Sequence, residues 1–155
     1  MERVTLQSFS KVNIGLKIVK KRRDGYHDIH TVFQELDFHD RVSLKKKKSG
    51  CSFKSNVNWL SNNNSNLCVK AWQSLVQRFN IGGVKIELKK NIPPGSGLGG
   101  GSSNAACVLK GLKRLYKLNI QSRDLIKIGT SIGADVPFFI NGGCQLGSGV
   151  GDELK

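Results

Sequence analysis

No stretch of the sequence approaches the roughly 18 consecutive apolar residues that a membrane-spanning helix needs. The polar N-terminus also lacks the apolar segment of a secretory signal peptide. We therefore expect a cytoplasmic protein, or a protein of the plastid stroma if the source organism bears plastids.

Cysteine pairs of the C-x-x-C type are also missing, so the spacing that a zinc site needs is absent. A cytoplasmic chain is a poor setting for disulfides. The four cysteines are therefore predicted to be buried free thiols, and no metal site built from side chains is predicted: Cys51, Cys68, Cys107 and Cys144.

Acidic residues are scarce: 11 acidic residues stand against 25 basic ones, which gives a net charge of +14. Anionic small-molecule ligands would explain this balance, and so would nucleic acid. Aromatic residues make up only 7% of the chain, and no RNA-recognition motif is present, which counts against nucleic acid. Charge alone leaves both explanations open.

The order of patterns along the 155 residues indicates a single α+β domain. Residues 3–19 read as a strand, in which an apolar set alternates with Lys11 and Asn13 and faces away from them. Asp24-Gly25 predicts a turn, and residues 30–44 return as strand material. The apolar set consists of Val12, Ile14, Leu16 and Ile18.

Helical periodicity follows the polar loop 61–66, where Asn66 is the expected N-cap. This first helix should reach Phe79 and stop at Gly82-Gly83. After a strand at 84–88 come a second helix that ends near Leu118 and a third helix that Ser122 can cap. A short apolar strand is then expected at Phe138–Ile140.

Residues 93–103 form a glycine-rich stretch that leads into the second helix. Bare backbone N–H groups ahead of a helix N-terminus favour a bound phosphate. A P-loop is excluded because no lysine precedes Ser102-Ser103. Gly95-x-Gly97-x-x-Gly100 fits the dinucleotide fingerprint, but a second helix follows where a strand is needed. A protein-kinase loop lies between strands, and a flexible linker would not be flanked so closely by ordered elements.

Four motifs in this order resemble those of the GHMP kinases: Phe9–Leu16, Asp24–His27, Pro93–Ala106 and Gly133–Phe139. The resemblance covers almost the whole chain. It implies a ribosomal protein S5 domain 2-like fold over residues 1–155, the N-terminal domain of a longer kinase whose C-terminal domain lies beyond this chain. It also implies ATP with Mg²⁺.

The resemblance assigns the glycine-rich stretch to the phosphates of ATP. Ser102 and Ser103 would offer hydroxyls to phosphate or Mg²⁺, although capping of the helix explains them equally well. Asn66 and Lys90 match positions of the family that contact the nucleotide, and here too a helix cap and a solvated strand end are sufficient explanations. The implied ATP-binding residues are Pro93, Pro94, Gly95, Ser96, Gly97, Leu98, Gly99, Gly100, Gly101, Ser102, Ser103, Asn104, Asn66 and Lys90.

Asp135 lies in the motif that carries the catalytic aspartate of the family, and Lys11 is the implied partner. From the residues alone, Asp135 would be an ordinary turn aspartate and Lys11 a solvated lysine. We expect Asp135 to follow a helix C-terminus, where the dipole disfavours a carboxylate. Such a broken local rule often marks a functional position. An ammonium group nearby would stabilise the charge that develops during phosphoryl transfer.

Asn13, Tyr26 and His27 are the implied substrate-binding residues. Aromatic rings in a loop suit stacking on a base. The resemblance points to a small-molecule acceptor, a cytidine-diphosphate-linked methylerythritol, and not to a membrane or a nucleic acid. Two alternatives remain open at this stage. One is a GHMP kinase for mevalonate, galactose or homoserine, and the other is a basic S5-like module that binds RNA.

Overall fold

The structure, a computed structural model, describes residues 2–61, 63–151 and 153–155. These residues form an α+β fold, as the order of sequence patterns predicts. The elements in chain order are β1 (Arg3–Lys21), β2 (His27–Lys47), β3 (Cys51–Ser55), α1 (Leu67–Val76), β4 (Gly83–Lys89), α2 (Gly100–Leu115), α3 (Ser122–Thr130), α4 (Val136–Asn141), β5 (Cys144–Ser148) and β6 (Glu153–Leu154).

The long strand β2 organises the sheet. β1 pairs antiparallel with it along nearly its whole length. On the other side, β2 pairs with β4 through Arg41–Lys47 and with β5 through Thr31–Gln34. β3 adds to β4 in parallel, and β6 adds to β5 in antiparallel. One continuous mixed sheet therefore carries the N-terminal hairpin and the strand that leads into the glycine-rich stretch.

The helices cover one face of this sheet. The strand β4 shows the alternation clearly, because Val84, Ile86 and Leu88 are at most 3% exposed while Lys85 and Lys89 are exposed. Burying an aliphatic side chain of this size stabilises a fold by about 1.5–3 kcal/mol. The helix α2 lies at the centre of the covered face and is buried along most of its length. Its N-terminus is thereby held at the end of β4.

The opposite face of the sheet is cationic. Glu87 lies among these cations and pairs with Arg3 at 3.3 Å and with Lys85 at 2.8 Å. A cluster of positive charge therefore lies on the face of the sheet that the helices leave open. The exposed cations of this face are Arg3, Arg41, Lys45, Lys54, Lys85 and Lys89.

The apolar set predicted in the first strand is not part of the core. Ile14, Leu16 and Ile18 are 57–61% exposed, whereas Lys11 is 6% exposed. The reason is tertiary, since this half of the β1–β2 hairpin extends beyond the helices. Gly15, with φ +67°, marks the register shift that follows Ile14. The shift pairs Leu16 with Thr31 and Ile18 with Ile29, which lie on the opposite face of β2 from Val32, the partner of Ile14. The predicted apolar set therefore does not share one face.

The helix ends depart from the sequence predictions at several points. Asn66 caps α1 as predicted, but α1 ends at Val76, before the Gly82-Gly83 stop. Gln121, not Ser122, is the N-cap of α3. The predicted strand at Phe138–Ile140 is wrong, because these residues lie in α4 with a proline in its first turn. A short apolar run has no periodicity that distinguishes a strand from a helix. Asn62, part of the predicted polar loop, lies outside the described residues.

Two of the four thiols match the prediction of buried cysteines. Cys68 and Cys107 are at most 2% exposed, whereas Cys51 is half-buried and Cys144 is exposed. Burial raises the pKa of the Cys107 thiol to about 12. In the part of the chain that the structure describes, no helix has the length and apolar character needed to cross a membrane.

Candidate active site

The glycine-rich stretch forms a loop between β4 and α2. Gly95, Gly97 and Gly99 have φ values of +65°, +74° and +70°, and Gly99 is the N-cap of α2. Residues other than glycine are strained at such angles, because they carry a Cβ atom. The N–H groups of the first helical turn have no partners within the helix, and the helix dipole adds positive potential there. The backbone at this end of α2 therefore suits a phosphate.

The end of the loop lies directly against side chains of the site. A Cβ atom on Gly99 would lie 2.8 Å from Cζ of Phe139 and 3.2 Å from Cε of Lys11. A Cβ on Gly100 would lie 2.7 Å from Nζ of Lys90. By contrast, a Cβ on Gly95 or Gly97 meets nothing within 4 Å. Packing thus fixes the part of the loop next to α2, while the preceding part borders open space.

A cleft of about 470 Å³ lies beside the loop. Lys11, Lys90 and Asp135 also line it. A further wall is largely apolar and comes from Trp59, Leu60 and Leu67, which the sequence analysis missed. The apolar pair Trp59-Leu60 inside a polar segment was the available signal. The loop residues at the cleft are Pro93, Pro94, Gly95, Ser96, Gly97, Gly99, Gly100, Gly101, Ser102 and Asn104.

Lys11 and Asp135 meet in the cleft. Nζ of Lys11 lies 3.6 Å from Oδ2 of Asp135, with the side chains 8% and 35% exposed respectively. The same ammonium group lies 5.4 Å from the centroid of the Phe33 ring. The backbone N–H of Lys11 donates to the carbonyl of Leu98 at 3.0 Å, which ties β1 to the glycine loop. A carboxylate and an ammonium group therefore stand together at the loop.

Asn13 extends this pair along β1. Its Oδ1 accepts a hydrogen bond from Nζ of Lys11 at 2.5 Å. Its Nδ2 donates to Oγ1 of Thr31 at 3.0 Å, and Thr31 is 3% exposed. Because both ends of the amide are engaged, the orientation of Asn13 is fixed. Thr31 is a further residue of the site that the sequence analysis missed.

The dipole argument for Asp135 was wrong. Asp135 occupies the N-cap position of α4, and α3 already ends at Thr130. At this end of a helix a carboxylate is favoured, not disfavoured. Its side chain makes no capping hydrogen bond, so the carboxylate is directed to Lys11 and the cleft. Its role as a base remains a prediction.

The two serines after the loop differ in their surroundings. Ser102 lines the cleft. Ser103 is 2% exposed, and its hydroxyl lies 2.8 Å from that of Ser8 in the interior. Neither serine is the N-cap of α2, because Gly99 holds that position. Of the two serines, Ser102 is therefore the one that lies at the cleft.

The predicted nucleotide residues outside the loop are also engaged in local structure. Oδ1 of Asn66 accepts from the N–H of Cys68 at 2.9 Å, and Asn66 lines a smaller cavity that shares Trp59 and Leu60 with the cleft. Nζ of Lys90 donates to Asp40 at 2.5 Å. Asn104 is 2% exposed and donates to Asp40 and Ser8.

Tyr26 and His27 lie at the turn of the β1–β2 hairpin. Tyr26 is 62% exposed and lines a cavity of about 400 Å³ with Gly133 and Ala134, the residues just before Asp135. His27 is exposed at the start of β2. Beside them, Asp24 and Asp28 raise the pKa of the Arg22 guanidinium. The hairpin thus brings Tyr26, but not His27, to the cavity that Gly133 and Ala134 line beside Asp135.

Comparison with known proteins identifies the family to which the domain that carries this loop and this lysine–aspartate pair belongs. The family model "GHMP kinases N terminal domain" matches residues 66–143. The chain belongs to the GHMP kinase family.

More specific similarity is found to curated relatives named 4-diphosphocytidyl-2-C-methyl-D-erythritol kinase. The protein from Acetivibrio thermocellus is 38% identical over 155 residues, which cover 99% of this chain and 55% of the relative. That from Persephonella marina is 42% identical over 151 residues, which cover 97% of this chain and 55% of the relative. The chain therefore spans about half the length of these relatives.

A solved structure shows the same relationship. The crystal structure of a 4-(cytidine 5'-diphospho)-2C-methyl-D-erythritol kinase superimposes with a TM-score of 0.81 at 38% identity. The match covers 98% of this chain and 54% of that chain. The predicted fold, that of the GHMP kinase N-terminal domain, is confirmed.

Proposed function

We propose that this chain is the ATP-binding part of a kinase that phosphorylates a hydroxyl of 4-diphosphocytidyl-2-C-methyl-D-erythritol, a precursor in non-mevalonate isoprenoid synthesis. The observation that carries the proposal is the Lys11–Asp135 pair, 3.6 Å apart, in the cleft that the glycine loop lines. The names of the relatives supply the acceptor. The resemblance at Asp24–His27 favours the same acceptor over mevalonate, galactose or homoserine.

In this proposal the triphosphate of ATP lies along the loop between Gly95 and Ser102. Backbone N–H groups and the α2 dipole bind the phosphate oxygens. The largely apolar wall at Trp59, Leu60 and Leu67 suits the adenine ring. Within the described residues, no three side chains of histidine, cysteine, aspartate or glutamate converge. Mg²⁺ would therefore be held mainly by the phosphates, with Ser102 as a candidate ligand.

The transfer itself needs positioning and charge stabilisation more than covalent chemistry. The acceptor oxygen forms a bond to the γ-phosphorus, the bond from that phosphorus to the bridging oxygen breaks, and ADP leaves. Asp135 orients the hydroxyl and receives its proton. Lys11 neutralises charge on the transferred group, and Asn13 holds the acceptor. Tyr26 stacks on the cytosine, with His27 beside it.

Titration with Mg-ATP tests nucleotide binding in this chain. Trp59 lies at the cleft, so its fluorescence should change on binding in a Trp72→Phe background, which removes the other tryptophan. A Gly99→Ala variant should lose the change, whereas Asp135→Asn should keep it. An unchanged signal in the parent protein would contradict nucleotide binding. Acceptor identity is tested by heat stabilisation with each of the four alcohols in the presence of Mg-ADP.

The cationic open face of the sheet favours a second candidate function, binding of RNA at that face. RNA binding that survives Gly99→Ala but is lost in Arg41→Ser/Lys89→Ser would support it. The kinase proposal expects the reverse pattern with Mg-ATP. The two functions use different surfaces. Binding of RNA and binding of Mg-ATP, each measured in Gly99→Ala and in Arg41→Ser/Lys89→Ser, therefore separate them.

A further inference from the structure

Asp40 is a fully buried carboxylate that the chemistry above does not use. It lies on β2 in the inward-facing row that continues with Val42 and Leu44, where an apolar residue would be expected. It follows the register shift that separates the pairs Phe9–His39 and Ser10–Leu36. A carboxylate in such a position is costly unless donors surround it.

Four donors surround it. Oδ1 accepts from the backbone N–H of Asn91 at 2.6 Å and from that of Ile92 at 2.8 Å. Oδ2 accepts from Nζ of Lys90 at 2.5 Å and from Nδ2 of Asn104 at 2.8 Å. The carboxylate is thus fully engaged by one cation and three neutral donors.

These donors lie at the two ends of the glycine loop. Asn91 and Ile92 come directly before Pro93, where the chain leaves β4. Asn104 lies in the first part of α2, just after the loop. Lys90 lines the cleft. One carboxylate on β2 therefore holds together the entry of the loop, its exit, and a lysine at the site.

We propose that Asp40 is a positioning residue of the glycine loop, whose two ends it fixes, so that the loop is already shaped to receive a triphosphate before the nucleotide binds. The proposal builds on the function given above. Fixing both ends lowers the ordering cost of binding, because the loop does not have to be immobilised by the ligand. Asp40 touches neither nucleotide nor acceptor.

The same geometry explains the identity of residue 104. Nδ2 of Asn104 donates both to Asp40 and to Oγ of Ser8, at 2.8 and 2.9 Å. A carboxylate at position 104 would face Asp40 without these donors. The amide at 104 and the carboxylate at 40 are therefore a matched pair. Exchanging them should preserve the contact between these two residues but not the contact of residue 40 with Lys90.

The test is a double-mutant cycle of Asp40→Asn, Asn104→Asp and the exchanged pair, made in the 155-residue chain. Mg-ATP affinity, the unfolding midpoint and hydrogen exchange of the Asn91 and Ile92 amides are measured for each. Each single variant should weaken Mg-ATP binding by about tenfold or more. It should also speed the exchange of the Asn91 and Ile92 amides by about tenfold or more. The exchanged pair should recover part of both losses, because it restores the hydrogen bond between residues 40 and 104 but not the one to Lys90. A space-filling role for Asp40 would give no recovery.

Tyr116→Phe is the matched control. It removes a 2.6 Å hydrogen bond between the C-cap of α2 and Gly83 of β4, the ends of these elements that point away from the loop. It should lower the unfolding midpoint without changing Mg-ATP affinity or exchange at Asn91 and Ile92.

Wild-type affinity and amide exchange in Asp40→Asn would overturn the proposal. It would also be overturned if the losses in the exchanged pair equalled the sum of the losses in the two single variants. An exchanged pair that fails to fold would overturn it as well. If the parent chain itself binds no Mg-ATP, the proposed function falls, but amide exchange and unfolding midpoints still decide the role of Asp40.

Discussion

Lys11 and Asp135 are 124 positions apart in the chain and 3.6 Å apart in the fold. β1 supplies the lysine, and the N-cap of α4 supplies the aspartate. The backbone of Lys11 is also bonded to Leu98 of the glycine loop. Lys11 therefore connects the glycine loop to the carboxylate of Asp135. Had the two side chains lain on opposite sides of the molecule, the kinase proposal would have failed.

Replacing Asp135 by asparagine should separate binding from transfer. We expect Mg-ATP affinity within about threefold of the parent, because backbone N–H groups bind the phosphates. Single-turnover transfer of labelled phosphate to the acceptor should fall by about 10²-fold or more. Transfer by the parent chain should itself be slow, because the chain spans only half the length of its relatives. Asp37→Asn, at a side chain that is 97% exposed, is the control and should change neither quantity. Equal transfer in Asp135→Asn and the parent would remove Asp135 from the mechanism.

Gly99→Ala and Gly97→Ala should differ in stability although both residues have positive φ. At Gly97 the cost is the backbone angle alone, about 1 kcal/mol, because the space around it is open. At Gly99 the new methyl group also meets Phe139 and Lys11, which raises the expected cost to about 2–4 kcal/mol. Urea denaturation measures both. Equal decreases in the free energy of unfolding would show that the close packing around Gly99 adds nothing to the cost of the substitution.

Thr31→Val should loosen Asn13. The substitution keeps the shape of the side chain but removes the acceptor of the Asn13 amide, at an expected cost of about 1–2 kcal/mol. Thr31→Ser keeps the hydroxyl and should retain the Asn13 amide resonances in NMR spectra. Wild-type amide shifts in Thr31→Val would contradict the orientation inferred for Asn13.

Stability should decline at alkaline pH in part because of Cys107. Its pKa is raised from the ordinary value of 9.0 to about 12 by burial, so the folded state keeps the proton longer than the unfolded state. The stabilisation is fully present below about pH 9 and is lost as the pH rises toward the folded value. Urea unfolding at pH 9, 10 and 10.5 should show a shallower decline in Cys107→Ala, by up to about 1.4 kcal/mol per pH unit. Parallel declines in the two proteins would refute this contribution.

Local features were predicted well where the physics is local. Asn66 caps α1 because a short polar side chain ahead of an apolar period can bond the free N–H groups. The glycine loop before α2 was predicted for the same kind of reason. The strand predicted at Phe138–Ile140 was wrong, because a three-residue apolar run carries no period. Pro137, beside this run, was not weighed as a signal for a helix start.

The sequence by itself determined the α+β class, the glycine-rich loop before α2 and the motifs of the family, because each depends on residues close together along the chain. The resemblance to the family implied the pairing of Asp135 with Lys11, and the tertiary structure brings the two side chains together. Only the tertiary structure placed Asp40 between the two ends of the loop and left Leu16 and Ile18 uncovered. Those outcomes depend on strand register and on where the helices stop covering the sheet. Neither is encoded in the spacing of residues along a single strand.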